Sequence, residues 1–173
     1  MATFGNTNAE TGTAPGFSNY AIVGRFQADG SGTITKLTAR LSNDDAGHTT
    51  GHVKALVYAD GAGPTAGAWI ATGDEVTLTD NAAVASVDLP ISAPCVSGTW
   101  YWLGVWGDAG CDGADFKFGA PGAYEYNADV YASPPPADPF GADGSESALC
   151  AVYATYTPTA SSANYMTTKR GMW

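Results

Sequence analysis

Short hydrophobic runs rich in Val, Ile, Thr, Tyr and Trp recur along the chain between clusters of Gly, Pro, Asn and Asp. Within several of these runs the hydrophobic side chains fall on alternate residues, whereas the 3.6-residue period of a helix is scarce. This pattern is typical of short antiparallel strands that are joined by turns. The sequence therefore predicts an all-β fold.

The runs also predict approximate strand positions. These are Tyr20–Gln27, Thr33–Leu41, Val53–Ala59, Glu75–Thr79, Val84–Leu89, Thr99–Trp106, Phe116–Phe118, Tyr124–Tyr131 and Ala148–Tyr156. The fourth and fifth strands are expected to pair as a hairpin around Asp80 and Asn81. Pro90 and Pro94 are expected to interrupt the chain after that hairpin.

Two of the predicted strands have hydrophobic residues on both faces. Val53–Ala59 is almost continuously apolar, which indicates a central strand covered on both sides or a face of mostly small residues. In Thr99–Trp106, the three tryptophans share one face, and Tyr101, Leu103 and Val105 share the other. Both faces of this strand are therefore expected to be buried.

The number of short strands favours a two-sheet antiparallel β-sandwich of jelly-roll type over a closed barrel. A length of 173 residues fits one domain, to which we assign residues 1–158. After Pro158 the composition becomes small and polar, so residues 159–173 are predicted to form a C-terminal arm.

Charge excludes two classes of partner. Lys and Arg number 7 against 17 Asp and Glu, which gives a formal net charge of -10. Phosphate backbones and anionic membrane surfaces both require clustered cations, so neither nucleic acid nor a membrane is an expected partner. The chain has no apolar run long enough to span a membrane, and its first residues do not predict a secretion signal.

Catalytic and metal-binding patterns are sparse. His48 and His52 lie in a Gly- and Thr-rich stretch without a nucleophile motif, so we expect a solvated pair and no enzyme. Cys95, Cys111 and Cys150 form no CxxC pattern and are expected to be packed free thiols.

An acidic loop offers one possible cation site. Asp108, Asp112 and Asp115 alternate with glycines in a segment whose carboxylates and carbonyls could surround calcium. The spacing lacks the closing Glu of an EF-hand, and the alternative is a set of solvated turns. No other cofactor is expected.

Aromatic residues give the main signal for a ligand, because flat Trp and Tyr faces can stack on sugar rings. The candidates for binding glycan are Trp69, Trp100, Trp102, Trp106, Tyr124 and Tyr126, with Tyr131 further along the chain. The alternative for Trp100, Trp102 and Trp106 is that they fill the space between two sheets. Trp69 lies in a predicted loop and is expected to be better exposed than these three tryptophans.

The C-terminal arm offers a second kind of contact. Its candidate subunit-contact residues are Tyr165, Met166, Lys169, Arg170, Met172 and Trp173. The apolar members are costly to leave in water, and docking on a neighbouring subunit would bury them. The alternative is a frayed terminus.

Several segments taken in order resemble a known family. They are Thr3–Thr7, Gly32–Leu37, Lys54–Asp60, Gly98–Val105, Tyr126–Tyr131, Asp138–Gly141 and Tyr153–Pro158. Together they resemble a β-sandwich domain that recurs in bacteriophage minor tail or virion proteins and as a module of bacterial surface proteins. The resemblance covers about residues 3–158 and implies a non-enzymatic module that recognises glycans or another protein.

The resemblance leads to two functional hypotheses. The first is a structural protein of a bacteriophage virion, either a minor tail component or a decoration protein of the capsid or tail. Its partners would be other virion subunits, in a homo-oligomer that we expect to be a trimer. The alternative is a carbohydrate-binding module that attaches to a glycan of the bacterial cell envelope.

Overall fold

The computed structural model describes residues 1–10, 12–13, 17–43, 50–79, 82–119, 121–128, 131 and 137–159. In these ranges the regular structure is β-strand, apart from one short 3-10 helix, η1, at Ala109–Gly113. No helix among these residues has the length and hydropathy needed to cross a membrane.

The described strands are numbered β1 to β14 in chain order. They are β1 Ala2–Gly5, β2 Gly12–Thr13, β3 Ala21–Gln27, β4 Gly32–Asn43, β5 Gly51–Asp60, β6 Ala66–Thr72, β7 Val76–Leu78, β8 Ala82–Cys95, β9 Trp100–Gly107, β10 Ala114–Gly119, β11 Tyr124–Asn127, β12 Gly144–Glu146, β13 Leu149–Cys150 and β14 Val152–Pro158.

These strands form two antiparallel sheets, which confirms the predicted all-β sandwich. The first sheet has the order β1-β14-β4-β10-β13, with β8 along the opposite edge of β4 and β2 beside β10. The second sheet has the order β12-β11-β3-β9-β5-β6, with β7 also paired to β5.

The pairing is that of a jelly roll. Strand β1 pairs with β14, β3 with β9, β4 with β8, and β5 with β6, so early strands pair with late ones in nested order. Successive pairs in this series alternate between the two sheets. A long hairpin rolled in this way gives the two facing sheets of a jelly roll.

The main core lies between the inner faces of the sheets. Its fully buried side chains include Ile34, Leu37, Leu89, Leu103 and Phe116. Residues 91–95 of β8 alternate strictly between buried and exposed, as expected for a strand with one face in the core and one in water.

A second hydrophobic cluster lies on the outer face of the second sheet. This outer cluster contains Ala21, Val23, Leu56, Tyr58, Ala66, Trp102, Trp106 and Phe140. It explains why β5 and β9 are apolar on both faces. The predicted burial of both faces is confirmed for β9, and of the two interpretations of Val53–Ala59 the strand covered on both sides is the correct one. Trp102 and Trp106 do not fill the space between the sheets, because they point away from it.

Several local predictions were wrong. The expected hairpin does not form, because β7 pairs with β5 in the second sheet whereas β8 pairs with β4 in the first. Pro90 and Pro94 lie within β8, which tolerates proline because β4 is its paired neighbour in the sheet and it forms a sheet edge. The last predicted strand is divided at Ala151 into β13 and β14, which pair with different strands.

The three cysteines are buried free thiols, as predicted. Burial raises the pKa of the Cys111 thiol to about 12, so it remains protonated at neutral pH. This group is therefore a packing residue and a poor nucleophile.

Candidate functional site

The outer cluster is covered by a returning stretch of chain, residues 137–143, which we call the covering segment. Its Phe140 is fully buried and packs edge-on against Tyr58, with 5.0 Å between ring centroids. The Phe140 amide donates to the Gly67 carbonyl at 3.1 Å, and the Tyr58 hydroxyl donates to the Ala137 carbonyl at 3.1 Å. The covering segment is thus held to the sheet by both packing and hydrogen bonds.

Further contacts anchor the two sides of this cover. The Trp69 amide donates to Asp138 Oδ1 at 3.0 Å, and the Asn127 side-chain amide donates to the Gly141 carbonyl at 2.7 Å. Tyr131 covers Trp106, with ring centroids 5.0 Å apart. The apolar outer face is therefore shielded over β5 and over the part of β9 near Trp106.

Beyond this cover, a network of charged and aromatic side chains lies at the end of the same face. The Arg25 guanidinium binds Asp60 through two hydrogen bonds, Nε to Oδ1 at 2.8 Å and Nη2 to Oδ2 at 2.6 Å. Trp102 Nε1 donates to the same Asp60 Oδ1 at 2.9 Å. The hydrogen bond from Arg25 is the main cause of a lowered pKa for Asp60, which keeps this carboxylate ionised.

Trp100 is the exposed aromatic residue of this network. The Arg25 guanidinium lies 4.2 Å from the centroid of its ring, and 37% of the residue remains exposed. Because Asp60 fixes Arg25, the stacked Arg25 restrains the orientation of the Trp100 ring. The result is an accessible indole whose position is set before any ligand binds.

A groove of about 340 Å³ lies next to this network, and we call it the outer groove. Its lining residues are Pro64, Trp102, Gly122, Ala123, Tyr124, Glu125, Ser145, Glu146 and Ser147. Trp100 and Trp102 are two residues apart on β9, so their Cα atoms are separated by about 7 Å along the strand. The volume falls within the usual range of small-molecule sites.

Two carboxylates and several hydroxyls give the outer groove its chemistry. Glu125 is only 4% exposed, and its Oε2 accepts a hydrogen bond from the Ala66 amide at 2.9 Å. Burial raises the pKa of Glu125, and the nearby charge of Asp60 adds to that shift. Burial and a hydrogen bond to Glu146 likewise raise the pKa of the Tyr124 hydroxyl. The lining contains no Lys or Arg among the described residues.

The structure separates the predicted glycan-binding aromatics into two groups. Trp102 is 0%, Trp106 1% and Tyr124 6% exposed, so these rings present no free face on which a sugar could stack. Trp100 is exposed, whereas Tyr126 and Trp69 are half-buried. Trp69 lies in β6 and not in a loop, with its Nε1 donating to Thr72 Oγ1 at 2.9 Å.

The acidic loop is organised by contacts within the protein. Asp108 accepts hydrogen bonds from the amides of His52 and Gly110, both at 2.9 Å, and its Oδ2 lies 2.7 Å from His52 Nδ1. Burial acts to raise the pKa of Asp108, but these hydrogen bonds outweigh it and leave the pKa lowered.

The other predicted calcium ligands do not join Asp108 in a common site. Asp115 pairs with Lys117 Nζ at 3.0 Å, and Asp112 is exposed. Across the described ranges, no three His, Cys, Asp or Glu side chains are grouped as metal ligands. His48 lies outside those ranges, as do the arm residues Tyr165, Met166, Lys169, Arg170, Met172 and Trp173.

Sequence reasoning missed Arg25, Asp60 and Glu125. They are far apart in the chain, and none belongs to a charge cluster or to a catalytic or metal-binding motif. A usable signal was nevertheless present in β3, where Arg25 follows Ala21 and Val23 on the same face of the strand. A single charged side chain on an apolar strand face is stable only with a partner of opposite charge. The position of Arg25 could therefore have predicted that it takes part in an ion pair.

The fold and these contacts define a jelly-roll β-sandwich with a ligand-sized, acidic groove on the outer face of one sheet. Comparison of the chain with known protein families, curated proteins and solved structures gives no match.

Proposed function

We propose that the chain is a structural protein of a bacteriophage virion, either a minor tail component or a decoration protein of the capsid or tail. The observation that supports this proposal is the jelly-roll pairing of the strands. Of the segments that resemble virion proteins, the first, Thr3–Thr7, and the last, Tyr153–Pro158, include paired strands. Jelly rolls recur in viral capsid proteins and in lectins. The segments that resemble virion proteins therefore extend over the whole jelly roll, from its first strand to its last.

Assembly is the role that this proposal assigns to the C-terminal arm. Strand β14 lies between β1 and β4 and ends at the exposed Pro158, which is paired with Gly32 of β4. An arm that continues from this exposed end of the strand can reach a neighbouring subunit without disturbing the sandwich. Its Tyr, Met and Trp side chains would be buried there, in a symmetric oligomer that we expect to be a trimer.

Light scattering of the intact chain and of a version that ends at Pro158 tests this proposal. We expect the intact chain to be an oligomer and the shortened chain to be a folded monomer. The double variant Tyr165→Ala, Trp173→Ala should lower the mass in the same way. Monomers for all three proteins at high concentration would contradict self-assembly through the arm.

A second candidate function is carbohydrate binding to a bacterial envelope, and the outer groove beside Trp100 favours it. Sugar recognition needs a flat aromatic face together with hydrogen-bonding groups that match ring hydroxyls. Trp100 is not a lining residue of the groove, but it supplies an exposed ring two residues from Trp102, which is one. The lining residues Glu125, Glu146, Ser145 and Ser147 supply oxygen atoms. The two functions are compatible in one virion protein.

Binding to a panel of bacterial envelope glycans tests this second function. Trp100→Ala should weaken the binding of a positive glycan about fivefold, because lost ring stacking costs about 1 kcal/mol. Trp100 belongs to neither hydrophobic cluster, so its truncation leaves both clusters intact.

The matched control is Tyr153→Ala, which removes a half-buried ring from the outer face of the first sheet. This variant should bind as the natural chain does. Equal losses in both variants, or no binding to any glycan, would contradict carbohydrate binding at the outer groove.

A further inference from the structure

The outer groove has a charge that is unusual for a sugar site. Its two acidic side chains, Glu125 and Glu146, are not accompanied by a cation in the described lining. The nearest guanidinium described, that of Arg25, is committed to Asp60 by two hydrogen bonds and stacked on Trp100. The cation beside the groove is therefore already neutralised within the protein.

Glu125 is almost completely buried, but it has few described hydrogen bonds to replace those that it would form with water. The residue is 4% exposed, and in the described part of the chain its hydrogen-bond donor is the Ala66 amide. A carboxylate has about four acceptor positions, and the described hydrogen bond of Glu125 occupies one of them. A buried carboxylate gains most from a partner that is both a donor and positively charged.

We propose that the outer groove selects amino sugars with a free amine, which would pair with the Glu125 carboxylate, and rejects acidic sugars. This inference rests on the carbohydrate-binding function proposed above. An ammonium group would supply the charge and the hydrogen bonds that Glu125 lacks, while Glu146 and the serine hydroxyls would bind ring hydroxyls. A uronic acid or a sialic acid would instead place a second carboxylate against Glu125, where little water screens the repulsion.

Calorimetric titration with three oligosaccharides of equal length tests the proposal at physiological salt. The probes are tetramers of glucosamine, of N-acetylglucosamine and of galacturonic acid, which are cationic, neutral and anionic. We expect the glucosamine tetramer to bind at least tenfold more tightly than the N-acetylated one, since a charge-assisted hydrogen bond exceeds a neutral one by about that amount. The galacturonic acid tetramer should not bind.

Two carboxylate variants separate a specific amine site from general attraction to an acidic protein. Glu125→Gln keeps an oxygen that can accept from the Ala66 amide but removes the charge, and it should abolish the preference for glucosamine. Glu75→Gln removes the same charge from an exposed residue outside the groove lining and should preserve the preference. If Glu125→Gln fails to fold, Glu125→Asp takes its place: it keeps the charge but withdraws it by one methylene group, and it should reduce the preference for glucosamine.

The contrary results fall into two groups. Equal effects of Glu125→Gln and Glu75→Gln, equal binding of the N-acetylated tetramer, or binding of the galacturonic acid tetramer would overturn the amine selectivity and leave carbohydrate binding intact. Failure of all three tetramers to bind, together with a negative glycan panel, would overturn both the selectivity and the carbohydrate-binding function.

Discussion

The outer faces of the two sheets differ in chemistry, although their inner faces share one core. On the first sheet, Asp88 accepts hydrogen bonds from Lys36 at 2.5 Å and from Thr38 at 2.6 Å, and the Lys36 and Asp88 side chains are 37% and 58% exposed to water. On the second sheet, the corresponding face carries Tyr58, Trp102 and other apolar residues beneath the covering segment.

The difference shows how a surface groove can arise where an apolar sheet face is only partly covered. A polar outer face needs no further protein, whereas an apolar one must be buried by a returning stretch of chain. The covering segment shields the part of the second sheet around Phe140 and Tyr58. Where its cover ends, Arg25, Asp60 and Trp100 form the boundary with water, and the outer groove lies beside them.

Removing the anchor of the cover should have the largest effect. Phe140→Ala should lower the free energy of unfolding by about 3–5 kcal/mol, because it empties a fully buried site in the outer cluster. Denaturant unfolding measures this loss. The control is Tyr153→Ala on the first sheet, which should cost far less because that ring is only half-buried. Similar losses in the two variants would show that the two outer faces do not differ in the way we describe.

The ion pairs on the two outer faces should differ in their contribution to the free energy of unfolding, by less than the two aromatic residues do. Arg25→Ala should cost about 2 kcal/mol, because it leaves a partly buried Asp60 with the Trp102 indole as its remaining described donor. Lys36→Ala should cost about 0.5 kcal/mol or less, because its pair with Asp88 is well exposed. Denaturant unfolding of both variants compares them directly, and equal costs would contradict the proposed difference in solvation.

Two carboxylates near the outer groove should contribute to the free energy of unfolding with opposite pH dependence. These are the smallest effects that we predict. The pKa of Asp60 is lowered below 3.8 in the folded state, so its stabilising contribution is present above that pH and is lost as the pH falls through the lowered value. The pKa of Glu125 is raised above 4.5, so its contribution is present below that pH and is lost as the pH rises through the raised value.

Unfolding curves measured between pH 3 and pH 7 test this opposition. Relative to the natural chain, Glu125→Gln should gain stability as the pH rises, whereas Asp60→Asn should lose stability over the same interval. Asp112→Asn serves as an exposed control. Parallel curves for Glu125→Gln and Asp60→Asn would show that the two carboxylates do not have opposite environments.

The fold class followed from the sequence because period-two alternation and turn residues are local properties. The double-sided burial of β9 was also predictable, since Trp102 and Leu103 compete for burial on opposite faces. The actual partners of β7 and β8 were not predictable from the sequence. Asp80 and Asn81 suit a hairpin turn, but in the jelly roll the two strands belong to different sheets. Tertiary topology overrides such local turn signals.

The candidate site was only partly predictable for a related reason. Tryptophans on one strand face indicated aromatic chemistry, but sequence alone could not show that the outer cluster would bury Trp102 and leave Trp100 exposed. The Arg25–Asp60 pair joins β3 to the end of β5 across the intervening β9. Such contacts depend on strand order, which periodicity does not encode.

The pairing of β1 with β14 also determines how the chain folds during synthesis. Phe4 lies opposite Ala154, so the first strand emerges from the ribosome long before its partner exists. Until then its aromatic side chain and one edge of β4 lack their native neighbours, and the nascent sandwich is open to association with other chains. Because its closing contacts join distant parts of the chain, we expect slow, late folding in which translation of the last strand is the step that completes the domain.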